Sequence, residues 1–166
     1  LLQYTVLPNT EPQAMQRIKS QAEDVTRDSK SAFDKVNALV HYIGTQCKYN
    51  LNTASFPTTE NVVSYFLFTE RQGYCDSFAT ALAVMCRSIG IPSRVANGFN
   101  TGERDPATGE FVVRDRDKHQ WTEVYFNGVG WMPFDATSEA EDITDNSKND
   151  AQKKKGLWAA LMSRGP

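Results

Sequence analysis

The chain has 166 residues, 40% hydrophobic and 11% aromatic, with 18 basic and 20 acidic side chains for a net charge of −2. This length fits one domain, and a domain near this size buries roughly 70% of the surface its unfolded chain exposes, so a real core is possible. The balanced charge argues against a nucleic-acid partner, which favours a strongly basic face, and no apolar run approaches the roughly 18 residues of a membrane span.

Residues 1–9 read as extended chain ending at Pro8. Thr10 then starts a first helix, with Gln13 three residues later and Pro12 in the first turn, where its missing N–H costs nothing. Met15, Ile18, Ala22 and Val25 follow at helical spacing. A second helix runs from Ser31 to Thr45, with Phe33, Val36, Val40 and Ile43 as its apolar stripe. Lys48 to Pro57 is loop or short extended chain, and a short third helix spans Glu60 to Leu67. A fourth helix begins at Cys75 and carries Phe78, Leu82, Met85 and Ile89 on one stripe. It stops at Gly90, with Pro92 beyond. Its small and apolar residues predict a central, buried element.

After Pro92 the period changes to two. Ser93 to Phe99 is a strand, residues 100–110 a turn-rich loop, Phe111 to Arg114 a strand and Asp115 to Lys118 a polar turn. His119 to Phe126 and Trp131 to Asp135 form a hairpin around Asn127-Gly128. From Thr137 the chain turns polar, so residues 1–137 read as the domain and 138–166 as a tail or linker. Within that tail, Leu157 to Met162 is a short apolar run that docks or leads toward a membrane segment of a parent protein. The start at Leu1, without methionine, reads as a piece of something longer. No signal peptide and no metal-ligand cluster is visible. Asp115-Arg116-Asp117 reads as an exposed charged turn, so no metal is expected. Helices followed by strands predict an α+β fold, with the Cys75 helix packed on an antiparallel sheet.

Three cysteines are too few for a disulfide scaffold. Cys75 and Cys86, 11 residues apart on one helix, sit about 16 Å from each other, too far to pair. Cys86 falls mid-helix among apolar residues and reads as core; Cys47 follows a helix end and reads as structural. A Cys47–Cys86 pairing stays open at this point. Cys75 differs. It opens its helix, where the helix dipole favours an anion and therefore a nucleophilic thiolate. Of the two histidines, His41 lies inside the second helix, while His119 begins a strand. Cys75, His119 and Asp135, in that order, are the residue types that thiol-dependent acyl transfer uses as nucleophile, acid/base and orienting carboxylate.

This reading makes a geometric demand. A two-residue turn at Asn127-Gly128 would pair Phe126 with Val129 and place His119 and Asp135 on opposite faces. The hairpin therefore needs one extra residue, which Gly128 and Gly130 can supply through a three-residue loop or a bulge.

Three segments, GYCDSFATALAVMCRSIGIPSRVANGF over 73–99, HQWTEVYF over 119–126 and GWMPFDAT over 130–137, together resemble the bacterial transglutaminase-like domain of the papain-like superfamily. The resemblance covers about residues 1–137. It implies Cys75 as nucleophile, His119 as base and acid, Asp135 as the orienting carboxylate and the Cys75 backbone N–H as one oxyanion donor. It also implies a peptide or protein substrate, no cofactor, and a place in the extracytoplasmic part of a bacterial membrane protein. Ser77 and Gln120 depart from the pattern of close relatives, which bears on substrate preference. Trp121 and Trp131 would wall the cleft or belong to the core, and core is favoured for Trp131. Two other classes stand beside the enzyme: a scaffold module, which predicts a lost member of the triad, and a redox thiol, which needs Cys47 within disulfide range of Cys75.

Overall fold

Helices form in the first half where caps and apolar periodicity coincide. The computed structural model describes residues 1–8, 11–53 and 55–140. Helix α1 spans Pro12–Val25, with Pro12 at its first position and Ile18 and Ala22 fully buried. Its cap is Glu11, in the left-handed region at φ 50°; Thr10 lies outside the described residues. Helix α2 spans Ala32–Gln46 behind a complete capping box: Ser31 Oγ accepts from the Asp34 N–H, and Asp34 Oδ2 accepts from the Ser31 N–H, each at 3.1 Å. Val36, Val40 and Ile43 are buried as the stripe predicts, whereas Phe33 stays partly exposed beside Phe126 and Phe134.

Two short strands, β1 (Lys48–Tyr49) and β2 (Gln72–Gly73), pair in parallel and bracket helix α3 (Val62–Tyr65). The expected third helix differs in form. Asn61 caps α3, which passes into a π-helical turn over Phe66–Glu70, closed by the Arg71 N–H donating to the Phe66 carbonyl at 3.0 Å. Residues 1–9 were expected to be extended; Leu2–Thr5 instead form a 3-10 turn.

Helix α4, Cys75–Ser88, is the centre of the molecule, with ten of its fourteen residues buried. It ends before Gly90, whose φ of +80° suits glycine. Strands β3 (Ser93–Phe99), β6 (Lys118–Phe126) and β7 (Gly130–Phe134) form an antiparallel sheet in the order β3-β6-β7. Between β3 and β6, β4 (Glu103–Arg104) and β5 (Phe111–Val112) pair as a separate two-stranded ribbon. Two buried hydroxyls pin the sheet to α4. Thr122 Oγ1 donates to the Ala79 carbonyl and Ser93 Oγ to the Ala83 carbonyl, each at 2.8 Å. Those carbonyls lie one helical turn apart, so β6 and β3 are held at successive levels of one helix. Pro133 sits on the edge strand β7, where a missing donor is tolerated.

The hairpin meets the parity demand. Phe126 pairs with Gly130, leaving Asn127, Gly128 and Val129 as a three-residue loop. Gly128 at φ +81° and Gly130 at φ +100° take the left-handed conformations that close it. Beyond β7 the chain turns through a 3-10 segment, Ala136–Glu139, that packs on α2. Ser138 and Glu139, assigned by composition to the tail, belong to this turn; residues 141–166 lie outside the described residues. Trp131, assigned to the core, is half-buried outside it. It lies against Arg94 at 4.2 Å, Tyr4 at 4.8 Å and Tyr125 at 5.5 Å. No helix among the described residues is long and apolar enough to cross a membrane.

Candidate active site

Cys75 owes its place to Gly73. A Cβ on Gly73 would stand 2.8 Å from Ser77 Cβ and 2.9 Å from the Phe66 ring, so only glycine lets β2 run this close to α4 immediately before the cysteine. The glycine serves close approach rather than flexibility. Ser77 is buried against it, which makes the departure at this position a matter of packing. Cys75 then takes the first position of α4, partly exposed, where its backbone N–H has no carbonyl partner within the helix.

His119 is the second residue of β6, opposite Gly98 of β3. Gly98 is again a close approach, since a Cβ there would meet the Trp121 indole at 2.6 Å. The Trp121 ring in turn stacks on the His119 imidazole at 6.5 Å and 25°. Trp121 thus supports the imidazole from the side.

Asp135 caps the 3-10 turn after β7. The register that pairs Thr122 with Phe134 sets the next residue, Asp135, opposite Trp121, on the face shared with His119. Its Oδ2 lies 2.7 Å from His119 Nε2, and its Oδ1 accepts from the Thr137 N–H at 3.0 Å and the Thr137 hydroxyl at 2.7 Å. Asp135 is therefore both turn former and imidazole partner. Its turn is seated on α2 by Gly44, where a Cβ would meet Glu139 Cβ at 2.6 Å, and by His41 Nδ1, which lies 2.7 Å from Glu139 Oε2. His41, expected to be a surface or packing residue, holds the turn that carries Asp135.

The carboxylate only accepts, so the contact places a proton on Nε2, and the Cys75 side chain is a second group acting on the imidazole. The structure thus brings Cys75, His119 and Asp135 together, with His119 8% and Asp135 7% exposed. Burial lowers the imidazole pKa, but hydrogen bonds and charge from Asp135 and Cys75 outweigh it and raise the value to about 9. Cys47 and Cys86 are free, buried thiols, each pushed up to about 12 by burial. Cys75 too is a free thiol. No group of side chains among the described residues could hold a metal ion.

The family model of the transglutaminase-like superfamily matches residues 19–136. The chain belongs to the transglutaminase-like superfamily. It is 36% identical over 140 residues to YebA of Bacillus subtilis, an uncharacterized protein, covering 81% of this chain and 19% of that protein. It is 40% identical over 75 residues to a protein-glutamine gamma-glutamyltransferase of Pseudomonas aeruginosa, covering 45% of this chain and 11% of that protein. In structure it is similar to the periplasmic domain of TgpA from Pseudomonas aeruginosa, at a TM-score of 0.73 and 28% identity, covering 84% of this chain and 49% of that one. The chain thus spans a minor part of these sequence relatives and about half of the TgpA domain.

Proposed function

We propose that this domain carries out thiol-dependent acyl transfer on peptide or carboxamide bonds. The observation that carries the reading is the His119 imidazole, held by the Asp135 carboxylate at 2.7 Å and close enough to Cys75 for the two to act on each other. The imidazole nitrogen turned away from Asp135 takes the Cys75 proton as the sulfur becomes the nucleophile. The sulfur attacks the substrate carbonyl, and the Cys75 backbone N–H at the start of α4 stabilises the oxyanion. As the tetrahedral intermediate collapses, Nδ1 gives its proton to the leaving amine and a thioester remains. Water, deprotonated by the now neutral imidazole, then releases the acid; an amine in its place gives transamidation. Hydrolysis is the reading favoured here. The name of the Pseudomonas relative supports transamidation as the second outcome. A location outside the cytoplasm, within a longer membrane-anchored protein, fits the likeness to a periplasmic domain.

The experiment is acyl-enzyme trapping with p-nitrophenyl acetate, read by intact-protein mass. One acetyl group on Cys75 is expected, slowed about a hundredfold or more by His119→Ala and lost in Cys75→Ala. Product analysis of glutamine-containing peptides, with and without added amine, then separates hydrolysis from transamidation. Acetylation that ignores His119→Ala refutes the mechanism.

A further inference from the structure

The two oxygens of the Asp135 carboxylate have different partners. Oδ2 lies 2.7 Å from His119 Nε2, while Oδ1 accepts from the Thr137 hydroxyl at 2.7 Å and the Thr137 N–H at 3.0 Å. Asp135 is 7% exposed, and a charge buried to this degree needs donors from the protein. The two Thr137 donors differ in kind. The N–H belongs to the turn that Asp135 caps, and any residue but proline would offer it there. The hydroxyl belongs to the side chain. The turn is closed without it: the Ser138 N–H and Oγ donate to the Asp135 carbonyl at 3.4 and 2.8 Å, and the Ala140 N–H donates to the Thr137 carbonyl at 3.2 Å.

What the hydroxyl acts on is the carboxylate. The last torsion of an aspartate is soft, so a carboxylate held through one oxygen swings about its axis. A second donor on Oδ1 fixes its plane and keeps Oδ2 aimed at the imidazole. Donation to the anion also favours the charged form of Asp135. We propose that Thr137 is a positioning residue of the site: its hydroxyl fixes the plane of the Asp135 carboxylate and, through it, the orientation of the His119 imidazole. This rests on the acyl-transfer reading and adds a fourth side chain to it, one that acts through Asp135.

The test compares Thr137→Val, which keeps the branched shape and the backbone N–H, with Thr137→Ser, which keeps the hydroxyl. Two readouts are taken in the full chain: the rate of Cys75 acetylation by p-nitrophenyl acetate near neutral pH, and the midpoint of the His119 ring protons by NMR. In Thr137→Val acetylation is expected to slow about tenfold, the usual effect of one hydrogen bond to a charged group. The His119 midpoint should fall by about half a unit to one unit, less than on loss of the Asp135 charge. Thr137→Ser should stay within about twofold of the native rate and close to the native midpoint. A threonine that serves only the turn would lower urea stability on substitution and leave the midpoint of the folded protein unmoved. An unmoved midpoint in Thr137→Val, or a Thr137→Ser protein that behaves like it, overturns the proposal. If Thr137→Val does not fold, Thr137→Ala takes its place, and failure of both to fold makes the hydroxyl structural and overturns the proposal as well. Acetylation that depends on His119 but ignores Thr137→Val overturns the role of Thr137 alone. Acetylation that ignores His119→Ala overturns the acyl-transfer reading itself, and the role of Thr137 with it.

Discussion

Asp135→Asn keeps the shape of the His119 partner and removes its charge. In the native site burial lowers the imidazole pKa, and the carboxylate and Cys75 raise it past that loss, from 6.5 to about 9. Such a shift corresponds to on the order of 3 kcal/mol of preference for the imidazolium in the folded state. Because the folded value lies above the unfolded one, this stability is fully present below pH 6.5 and is lost as pH rises through about 9. In Asp135→Asn the opposing burial remains and the largest raising influence is gone, so the midpoint should fall by more than about one unit. Two assays read this. NMR of the His119 ring protons gives the midpoint directly, and urea denaturation at about pH 6 and about pH 10 gives the stability difference. The native protein should lose stability across that interval relative to the variant, by up to about 3 kcal/mol. A native midpoint at or below 6.5, or parallel stability curves for the two proteins, would refute the reasoning.

Native-state labelling with iodoacetamide near neutral pH should modify one thiol per chain, Cys75, because burial holds Cys47 and Cys86 at about 12; two more should react on unfolding, and mass-mapped peptides check this. Gly73→Ala forces a Cβ to within 2.9 Å of Phe66 and 2.8 Å of Ser77, and should cost about 1–3 kcal/mol in urea unfolding. Thr122→Val removes the donor to the Ala79 carbonyl at 2.8 Å with little change of shape, and should cost about 1 kcal/mol in the same assay.

The elements legible in the sequence are those whose cause is local. Ser31 and Asp34 form a capping box within four residues, and α2 starts there. Alternation from Ser93 to Phe99 gives β3 at those bounds. What escaped depends on distant partners or on backbone choices that leave no period. β1 and β2 are two residues each, and a two-residue ladder between Lys48 and Gln72 has no signature until the fold joins them. The π turn at Phe66–Glu70 continues an apolar run that also suits an α-helix. Trp131, favoured as core in the sequence, is instead met by Tyr4, in the turn at the chain's start, outside the core cluster. In the candidate site, residue type and order single out Cys75, His119 and Asp135, whereas their supports leave no mark in the sequence. Trp121, which the sequence allows as cleft wall or core, stacks beside the imidazole. The Gly44–Glu139 contact and the His41–Glu139 pair join positions nearly a hundred residues apart.

The hairpin loop shows how narrow the margin for such a site is. His119 and Asp135 approach to 2.7 Å only because Phe126 pairs with Gly130. A two-residue loop in this same sequence, pairing Phe126 with Val129, would instead turn the residue after β7 to the other face of the sheet. The core residues of β7 would turn with it, moving Phe134 away from the interior where it is now 1% exposed. The same loop length therefore serves packing and the site. The apolar burial of Phe134, not the polar contact of Asp135, supplies most of the free energy that holds the register. A carboxylate one residue beyond a buried phenylalanine is thus delivered to the imidazole by hydrophobic register, and the glycines at positions 128 and 130, both at positive φ, are the local feature that lets the loop take the required length.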